Sequence, residues 1–409
     1  MKHIAIYCFV LLFAFCIFGC GEGEEAIETP WYELEEGDIL HEKWPFLVGV
    51  AVPGARTSGG SALNSRNPQH HILNQFEVLV AENEMKPYAI MPGAQPTGSN
   101  WGAVYNWKDS DDLVNYAVAN GKRVRGHCLI WHDQTPEWFF RGSGNNGLAT
   151  INELYFRMEK HIEAVFQRYG NKIEWWDVVN EAVGHDEKGP RRDSRGRYTE
   201  IMEAGGRTEM NRYEYIVKAF EFARKHANAN GGTNVKLYLT DFGVERPFSR
   251  DGATKQQDFY DLVQWVKSQN APIDGIGFQG HFRLIDHPVA QISAGIDMFS
   301  DLNLMIQICE LDFSIFRSSD GSLRKLQNDV LLTRLSQLAT TYLEFFNMFK
   351  QKYEEGKIDM VLIWGLADGH SWLNNHPHSG RRDYPLLFDR KYRAKEAYAR
   401  LIGKTITNP

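Results

Sequence analysis

Cysteine is scarce in this chain, which has 5 among its 409 residues. Three of them, Cys8, Cys16 and Cys20, lie at the N-terminus, so only Cys128 and Cys309 remain for the rest of the protein. Both lie inside apolar runs, where a cysteine is more often a small buried side chain than a redox partner. The sequence therefore does not indicate a disulfide framework.

Metal-ligand spacings and runs of basic residues are missing as well. The nearest candidates for metal ligands are the histidine pairs at 70–71 and 376–378, and histidines in surface loops account better for both. The net charge of −7 gives no sign of a nucleic-acid partner. No glycine-rich phosphate loop follows the first strand-like run. We therefore expect no metal, no cofactor and no nucleic acid.

The first 19 residues have the pattern of a signal peptide. A positive start at Lys2 precedes an apolar run over 4–18 that is too short to cross a bilayer comfortably. The run ends at Gly19-Cys20 and resembles a bacterial lipoprotein signal, in which the cysteine becomes the lipidated first residue. This pattern predicts a lipid on Cys20, an acidic tether over 20–41, and membrane attachment at the outer membrane or cell surface. A cleaved signal on a secreted or periplasmic protein is the alternative.

Eight near-continuous apolar runs follow, and helical patterns separate them. The runs lie at 46–52, 78–86, 123–131, 173–181, 235–242, 275–281, 304–313 and 361–367. Such runs are typical of parallel strands that are covered on both faces. Amphipathic segments occur at 111–120, 151–169, 213–229, 256–268 and 326–353. The pattern predicts an α/β fold, a closed (β/α)₈ TIM barrel, as a single catalytic domain over 42–405. An open doubly wound sheet is the alternative.

Polar and aromatic side chains follow seven of these eight runs. Functional sites of such barrels lie at the carboxyl ends of the strands, so we expect these side chains to surround one cleft. The candidates for binding a sugar chain are Glu82, Asn83, Lys86, His127, Trp131, Asn180, Gln279, Trp364 and Trp372. Trp364 and Trp372 offer aromatic faces for stacking. Trp131 fits either a wall of the site or the core.

Two glutamates at strand ends predict the chemistry. Glycosidic cleavage needs a proton donor for the leaving oxygen and a second carboxylate at the sugar carbon. We predict Glu181 as the general acid/base and Glu310 as the nucleophile. His281 then donates a hydrogen bond to Glu310, and Asp312 either orients His281 or is a capping or loop carboxylate. Asp241 either tunes Glu181 or caps the following helix.

Six motifs then resemble glycoside hydrolase family 10. They are residues 81–86 (AENEMK), 125–132 (RGHCLIWH), 176–181 (WDVVNE), 278–281 (FQGH), 310–312 (ELD) and 364–368 (WGLAD). They occur in the family's order, and the resemblance covers residues 42–402. It implies a (β/α)₈ barrel and a retaining endo-β-1,4-xylanase acting on xylan or xylo-oligosaccharides without cofactor or metal. It also implies the two catalytic glutamates named above, and substrate contacts from His281 and the nine binding candidates.

The chain departs from the family pattern at three positions. Thr240 and Phe242 replace an asparagine and a tyrosine beside Asp241, and His370 stands where an aromatic residue is common. The arginine-rich segment 184–211 fits a solvated surface loop better than a site for an acidic sugar substituent. Two other functions stay open: a related barrel glycosidase acting on another β-glycan, and a surface lipoprotein that binds glycans without catalysis. We expect a monomer.

Overall fold

Eight parallel strands close into a barrel in the computed structural model, which describes residues 29–54, 61–143, 147–186, 189–191, 196–247, 249–250 and 253–406. The strands are β1 (Leu47–Val52), β2 (Val78–Ala81), β3 (Arg123–Gly126), β4 (Trp175–Asn180), β5 (Lys236–Asp241), β6 (Gly275–Phe278), β7 (Met305–Ser314) and β8 (Ile358–Ile363). Each strand pairs with the next along the chain, and β8 pairs with β1. The predicted (β/α)₈ barrel is confirmed.

Helices cover the outside of the barrel. They are α1 (Lys108–Ala119), α2 (Ile151–Tyr169), α3 (Arg197–Ala204), α4 (Glu214–Ala229), α5 (Lys255–Ser268), α6 (Val289–Ser300), α7 (Asn328–Glu354) and α8 (Glu396–Leu401), with one further turn at Pro87–Ile90. All five predicted helices are present, and α3, α6 and α8 are additions. Asp297 is the one charged residue of α6, so this helix is mostly apolar and was not recognised as an amphipathic segment. Among the described residues, no helix is long and apolar enough to cross a bilayer.

Four strands end at least three residues earlier than predicted: β2, β3, β6 at Phe278 and β8 at Ile363. The second run stops at Ala81. Glu82 N–H still donates to the Val52 carbonyl at 3.1 Å, but the N–H groups of Asn83 and of Gly54, which follows β1, donate to the Glu84 carboxylate at 3.0 and 2.9 Å. The third run breaks after Gly126 and resumes at Ile130–Trp131. Both interruptions fall at the carboxyl ends of the strands, where the chain leaves the sheet and enters a loop.

Part of the predicted acidic tether is packed onto the barrel. Trp31–Tyr32 pairs in antiparallel fashion with Ala394–Lys395, and Leu40 is fully buried. The prediction of a tether over 20–41 is therefore wrong for residues 31–41, because these residues carry apolar side chains that find partners there. The predicted signal segment and Cys20 lie outside the described residues.

A buried ion pair occupies the interior of the barrel. Arg125 on β3 and Asp177 on β4 are both fully buried, and Arg125 Nη2 donates to Asp177 Oδ1 at 2.6 Å. Arg125 Nε also donates to Gln307 Oε1 on β7 at 3.1 Å. Burial alone raises the pKa of Asp177, but the Arg125 charge and the His127 hydrogen bond bring it down to about 2. The aspartate is therefore ionised at neutral pH and holds a permanent charge inside the barrel.

Removing that charge tests the pair. We expect Asp177→Asn to lower the free energy of unfolding by about 3–5 kcal/mol, because it leaves a buried guanidinium without its counter-charge. Glu174→Gln is the matched control, since Glu174 pairs with Arg123 at 2.6 Å but its side chain is 41% exposed. The control loss is below about 1 kcal/mol. Denaturant unfolding followed by tryptophan fluorescence measures both, and equal losses would contradict the assignment.

Candidate active site

A cleft of about 560 Å³ lies at the carboxyl ends of the strands. Glu181, Glu310 and His281 line it, and so do all nine predicted binding residues: Glu82, Asn83, Lys86, His127, Trp131, Asn180, Gln279, Trp364 and Trp372. Asp312 and Asp241 lie behind the wall and are fully buried. The structure thus brings the predicted site residues of seven strand ends together at one mouth of the barrel.

Glu181 follows β4 directly and has a left-handed backbone with φ of 56°. Its N–H donates to the Thr240 carbonyl at 2.8 Å, which fixes this uncommon conformation. Trp131 Nε1 donates to Oε2 at 3.0 Å and Gln279 Nε2 donates to Oε1 at 2.9 Å. Burial raises the pKa of Glu181, and the negative charges of Asp241 and Glu310 act in the same direction. A carboxyl group in this setting holds a proton to higher pH than a free one.

Glu310 has different surroundings, because a histidine lies against it. His281 Nε2 is 3.1 Å from Glu310 Oε2, and His281 Nδ1 is 3.0 Å from Asp312 Oδ2. Burial alone lowers the pKa of His281, but the two carboxylates raise it to about 10. The imidazole is therefore cationic at neutral pH and places positive charge next to Glu310. Both predicted contacts, of His281 with Glu310 and of Asp312 with His281, are present.

Asp241 organises the loops after β4 and β5. Its Oδ2 accepts the N–H of Val183 at 2.9 Å, and its Oδ1 lies 2.6 Å from Lys255 Nζ. The following helix is capped by Thr254, whose side chain accepts the N–H of Gln257 at 3.0 Å. The capping alternative for Asp241 is therefore wrong, and its charge acts on the pKa of Glu181 instead.

The other half of the cleft carries hydrogen-bonding groups beside indole rings. Lys86 Nζ donates to Asn83 Oδ1 at 2.9 Å and lies 5.1 Å from the centroid of the Trp131 ring. Burial raises the pKa of Glu82 to about 7, although the Lys86 charge opposes it. Trp364 is 6% exposed, and the His127 ring meets it edge-on. Trp131 therefore belongs to the wall, and this half offers donors, acceptors and an apolar face to a sugar.

A hydrogen bond links this cleft to the ion pair in the barrel. The ring of His127 bonds Asp177 Oδ2 through Nδ1 at 2.9 Å, and the same Nδ1 lies 3.9 Å from Glu310 Oε1. Thr240 donates to the other Asp177 oxygen. The charge inside the barrel thus fixes the orientation of a side chain that faces the nucleophile candidate.

Five residues of the cleft were not predicted as site residues: Asp133, Gln134, Phe242, Gly243 and His376. His376 is exposed and stacks on Trp372 with ring centroids 4.8 Å apart. The sequence carried a signal for it, a histidine–proline pair four residues after a tryptophan, which we assigned to a surface loop. Among the residues that the structure describes, no group of histidine, cysteine, aspartate or glutamate side chains is arranged to hold a metal ion.

The three residues that depart from the family pattern lie in different surroundings. Thr240 is buried against Asp177, whereas Phe242 is 38% exposed and lines the cleft. The ring of His370 lies 6.0 Å from that of Tyr392. In the arginine-rich segment, Arg197 begins α3 rather than lying in the predicted loop, and it pairs with Glu137 at 2.9 Å. The side chains of residues 191, 192 and 195 lie outside the described part of the chain.

Known proteins share this architecture. The chain is 32% identical over 398 residues to endo-1,4-beta-xylanase A of Halalkalibacterium halodurans. The aligned region covers 93% of this chain and 90% of that protein. It is 34% identical over 344 residues to endo-1,4-beta-xylanase C of Paenibacillus barcinonensis, covering 84% of this chain but only 30% of that longer protein. The solved structure of a GH10 protein from P. barcinonensis superposes with a TM-score of 0.75 at 32% identity, covering 90% of this chain and 97% of that one.

The family assignment rests on nearly the whole length of the chain. The family described as Glycosyl hydrolase family 10 matches residues 41–404, a range that contains all eight barrel strands and both glutamates of the cleft. The chain belongs to glycosyl hydrolase family 10.

Proposed function

We propose that this protein is an endo-1,4-β-xylanase that cleaves xylan with retention of the anomeric configuration. The observation that carries the proposal is the contrast between two carboxyl groups in one cleft. Burial raises the pKa of Glu181, while a cationic His281 lies against Glu310. Retaining glycosidases need this division into a proton donor and a charged nucleophile. The xylanases among the relatives support xylan as the substrate.

In the first step, Glu310 attacks the anomeric carbon of the bound sugar while Glu181 protonates the departing glycosidic oxygen. The sugar becomes an ester of Glu310, and the remainder of the chain leaves with the proton. This step requires the two carboxyl groups to lie about 5–5.5 Å apart. His281 and Asp312 hold the attacking carboxylate in place during the reaction.

In the second step, Glu181 removes a proton from water, which attacks the same carbon and releases Glu310. The change of role has an electrostatic cause, because the charge of Glu310 is one of the factors that raise the pKa of Glu181. Ester formation removes that charge. The pKa of Glu181 therefore falls once the covalent intermediate exists, and a carboxylate is then available as the base.

Substrate positioning falls to the amide and aromatic groups of the cleft. Asn180 is buried beside Glu181, and within the described part of the chain its Nδ2 has no hydrogen-bond partner. This donor is suited to a hydroxyl of the sugar at the cleavage point. Gln279 reaches both Asn180 Oδ1, at 3.3 Å, and Glu181. Trp364 and Trp372 supply surfaces on which sugar rings stack.

We also propose that a lipid on Cys20 attaches the protein to the cell envelope. The support is the N-terminal sequence alone, an apolar run that ends in Gly19-Cys20. A membrane attachment places the enzyme where it meets polymeric xylan or the fragments that enter the envelope.

Substrate and stereochemistry test the main proposal. We expect release of reducing sugar from xylan and at least about tenfold less from cellulose or mannan, with a β-configured product in the first NMR spectra. Glu310→Ala should lower kcat by on the order of 10⁴-fold, because no covalent intermediate forms. Glu354→Ala, at a helix position 61% exposed, is the control with unchanged activity. Inverted product, or xylan binding without cleavage, would overturn the proposal.

Two substitutions should move the pH profile of kcat/KM in opposite directions. The enzyme needs Glu181 protonated, so activity is lost as pH rises through the pKa of that group. Gln279→Met removes a hydrogen bond that lowers the pKa of Glu181, and the alkaline limb should move to higher pH. Asp241→Asn removes a charge that raises this pKa, and the limb should move to lower pH. Shifts of the same sign in both variants would contradict Glu181 as the acid.

The lipid proposal has its own test. Cys20→Ser should move the protein from the membrane to the soluble fraction of the producing cell, with kcat/KM on xylan unchanged. Cys128→Ser is the control, since Cys128 is buried in the barrel. Equal membrane partitioning of Cys20→Ser and the unaltered protein would remove the proposal.

A further inference from the structure

A second cavity, of about 460 Å³, opens beside the catalytic cleft. Phe242, Gly243, His281, Trp372 and His376 line both spaces, so the two are continuous. A side group on a sugar in the cleft can therefore extend into the second cavity without any rearrangement of the protein. Of the predicted substrate contacts only His281 and Trp372 line it, and the mechanism above leaves the rest of this space unused.

Basic side chains from three loops converge on this space. We define the side cavity by Arg246 after β5, Arg283 and His287 after β6, and His376 and Arg381 after β8. Loops that are far apart in sequence thus contribute three guanidinium groups to one wall. A chance run of basic residues in a single loop does not produce this arrangement.

Two of the three guanidinium groups, those of Arg381 and Arg283, are held in place by neutral partners. Arg381 is 6% exposed, donates to the carbonyls of Leu323 at 3.1 Å and Gly321 at 2.8 Å, and lies over the Phe316 ring. Arg283 is exposed and donates to the Ser318 hydroxyl at 3.0 Å. Carbonyl and hydroxyl oxygens orient a guanidinium without neutralising it. Its charge therefore remains available to an anion.

The acids on the same wall are engaged by backbone donors. Glu245 accepts the N–H of Gly280 at 2.8 Å, and burial raises its pKa, which favours the neutral form. Asp286 Oδ2 accepts both the N–H and the hydroxyl of Ser318, at 2.9 and 2.6 Å. Lys255, a further cation of this wall, lies 2.6 Å from Asp241. Three guanidinium groups thus face two acids, Glu245 and Asp286, and the wall of the side cavity carries an excess of positive charge even with both acids ionised.

The basic groups of the side cavity repel one another. The pKa of Arg246 is lowered by burial, the charges of Glu245 and Asp286 oppose this, and the Arg283 charge lowers it further. The pKa of His376 is lowered by burial and further by the charges of His281, Arg283 and Arg381. A bound anion relieves this repulsion. The cavity is therefore electrostatically suited to a negatively charged group.

We propose that the side cavity binds the carboxylate of a uronic acid substituent on the xylan chain that occupies the cleft. The proposal rests on the function proposed above and specifies the substrate of the same site. Guanidinium groups recognise carboxylates through paired hydrogen bonds, and the space is continuous with the position of the sugar backbone. The acidic side group is thus assigned to the loops after β5, β6 and β8.

Charge on the substituent and charge in the cavity can be changed separately. We expect Arg283→Gln to lower kcat/KM on glucuronoxylan about tenfold, the range for one charge-assisted contact, and on unsubstituted xylo-oligosaccharides less than twofold. Arg246→Gln provides a second variant from another loop. Arg168→Gln is the matched control. Arg168 lies on α2 and pairs with Asp111, and its replacement changes the net charge by the same amount.

Methyl esterification of the uronic acid gives the same test from the side of the substrate. The unaltered enzyme should lose about tenfold in kcat/KM on the esterified glucuronoxylan, and Arg283→Gln should show little difference between ester and acid. If the unaltered enzyme were equally active on both forms and cleaved unsubstituted chains normally, the proposal for the side cavity would fail and the proposed function would stand. Failure to cleave any xylan would overturn the proposed function with it.

Discussion

The ion pair between Arg125 and Asp177 is the interaction on which the site depends. It lies where side chains of several strands meet inside the barrel, and each partner is satisfied by strands other than its own. Asp177 then bonds His127 at the mouth, within 3.9 Å of Glu310. Because a buried charge costs several kcal/mol when its partner is displaced, the strands cannot slide without disrupting the site. Fold stability and alignment of the cleft therefore share one cause.

The chemistry depends on unequal surroundings for similar groups. Glu181 and Glu310 are both glutamates at strand ends, yet one contacts neutral donors and the other a cationic imidazole. Asp241 and Asp312, both fully buried, maintain this difference from behind the wall. Residues behind the wall thus contribute to the raised pKa values of Glu181 and His281. The same reasoning applies to the side cavity, where carbonyl and hydroxyl oxygens orient arginines without neutralising their positive charge.

Much of the fold could be predicted because buried parallel strands have a strong sequence signal. The run at Met305–Ser314 is buried along nearly its whole length and reads as continuous apolar sequence with polar residues at its end. The strand-end rule then placed the candidate residues together. The rest was harder to predict: α6 carries a single charged residue, and His376 is a site residue only because its loop brings it onto Trp372. No local pattern encodes such contacts.

The pairing of Trp31–Tyr32 with Ala394–Lys395 has a topological consequence. It holds residues more than 360 positions apart side by side, so the backbone forms a nearly closed ring around the barrel. Fraying of either segment exposes the other, and the two must detach as one unit. A circularly permuted chain, cut in a surface loop and rejoined by a short linker across this junction, would keep every strand of the barrel in its present neighbourhood.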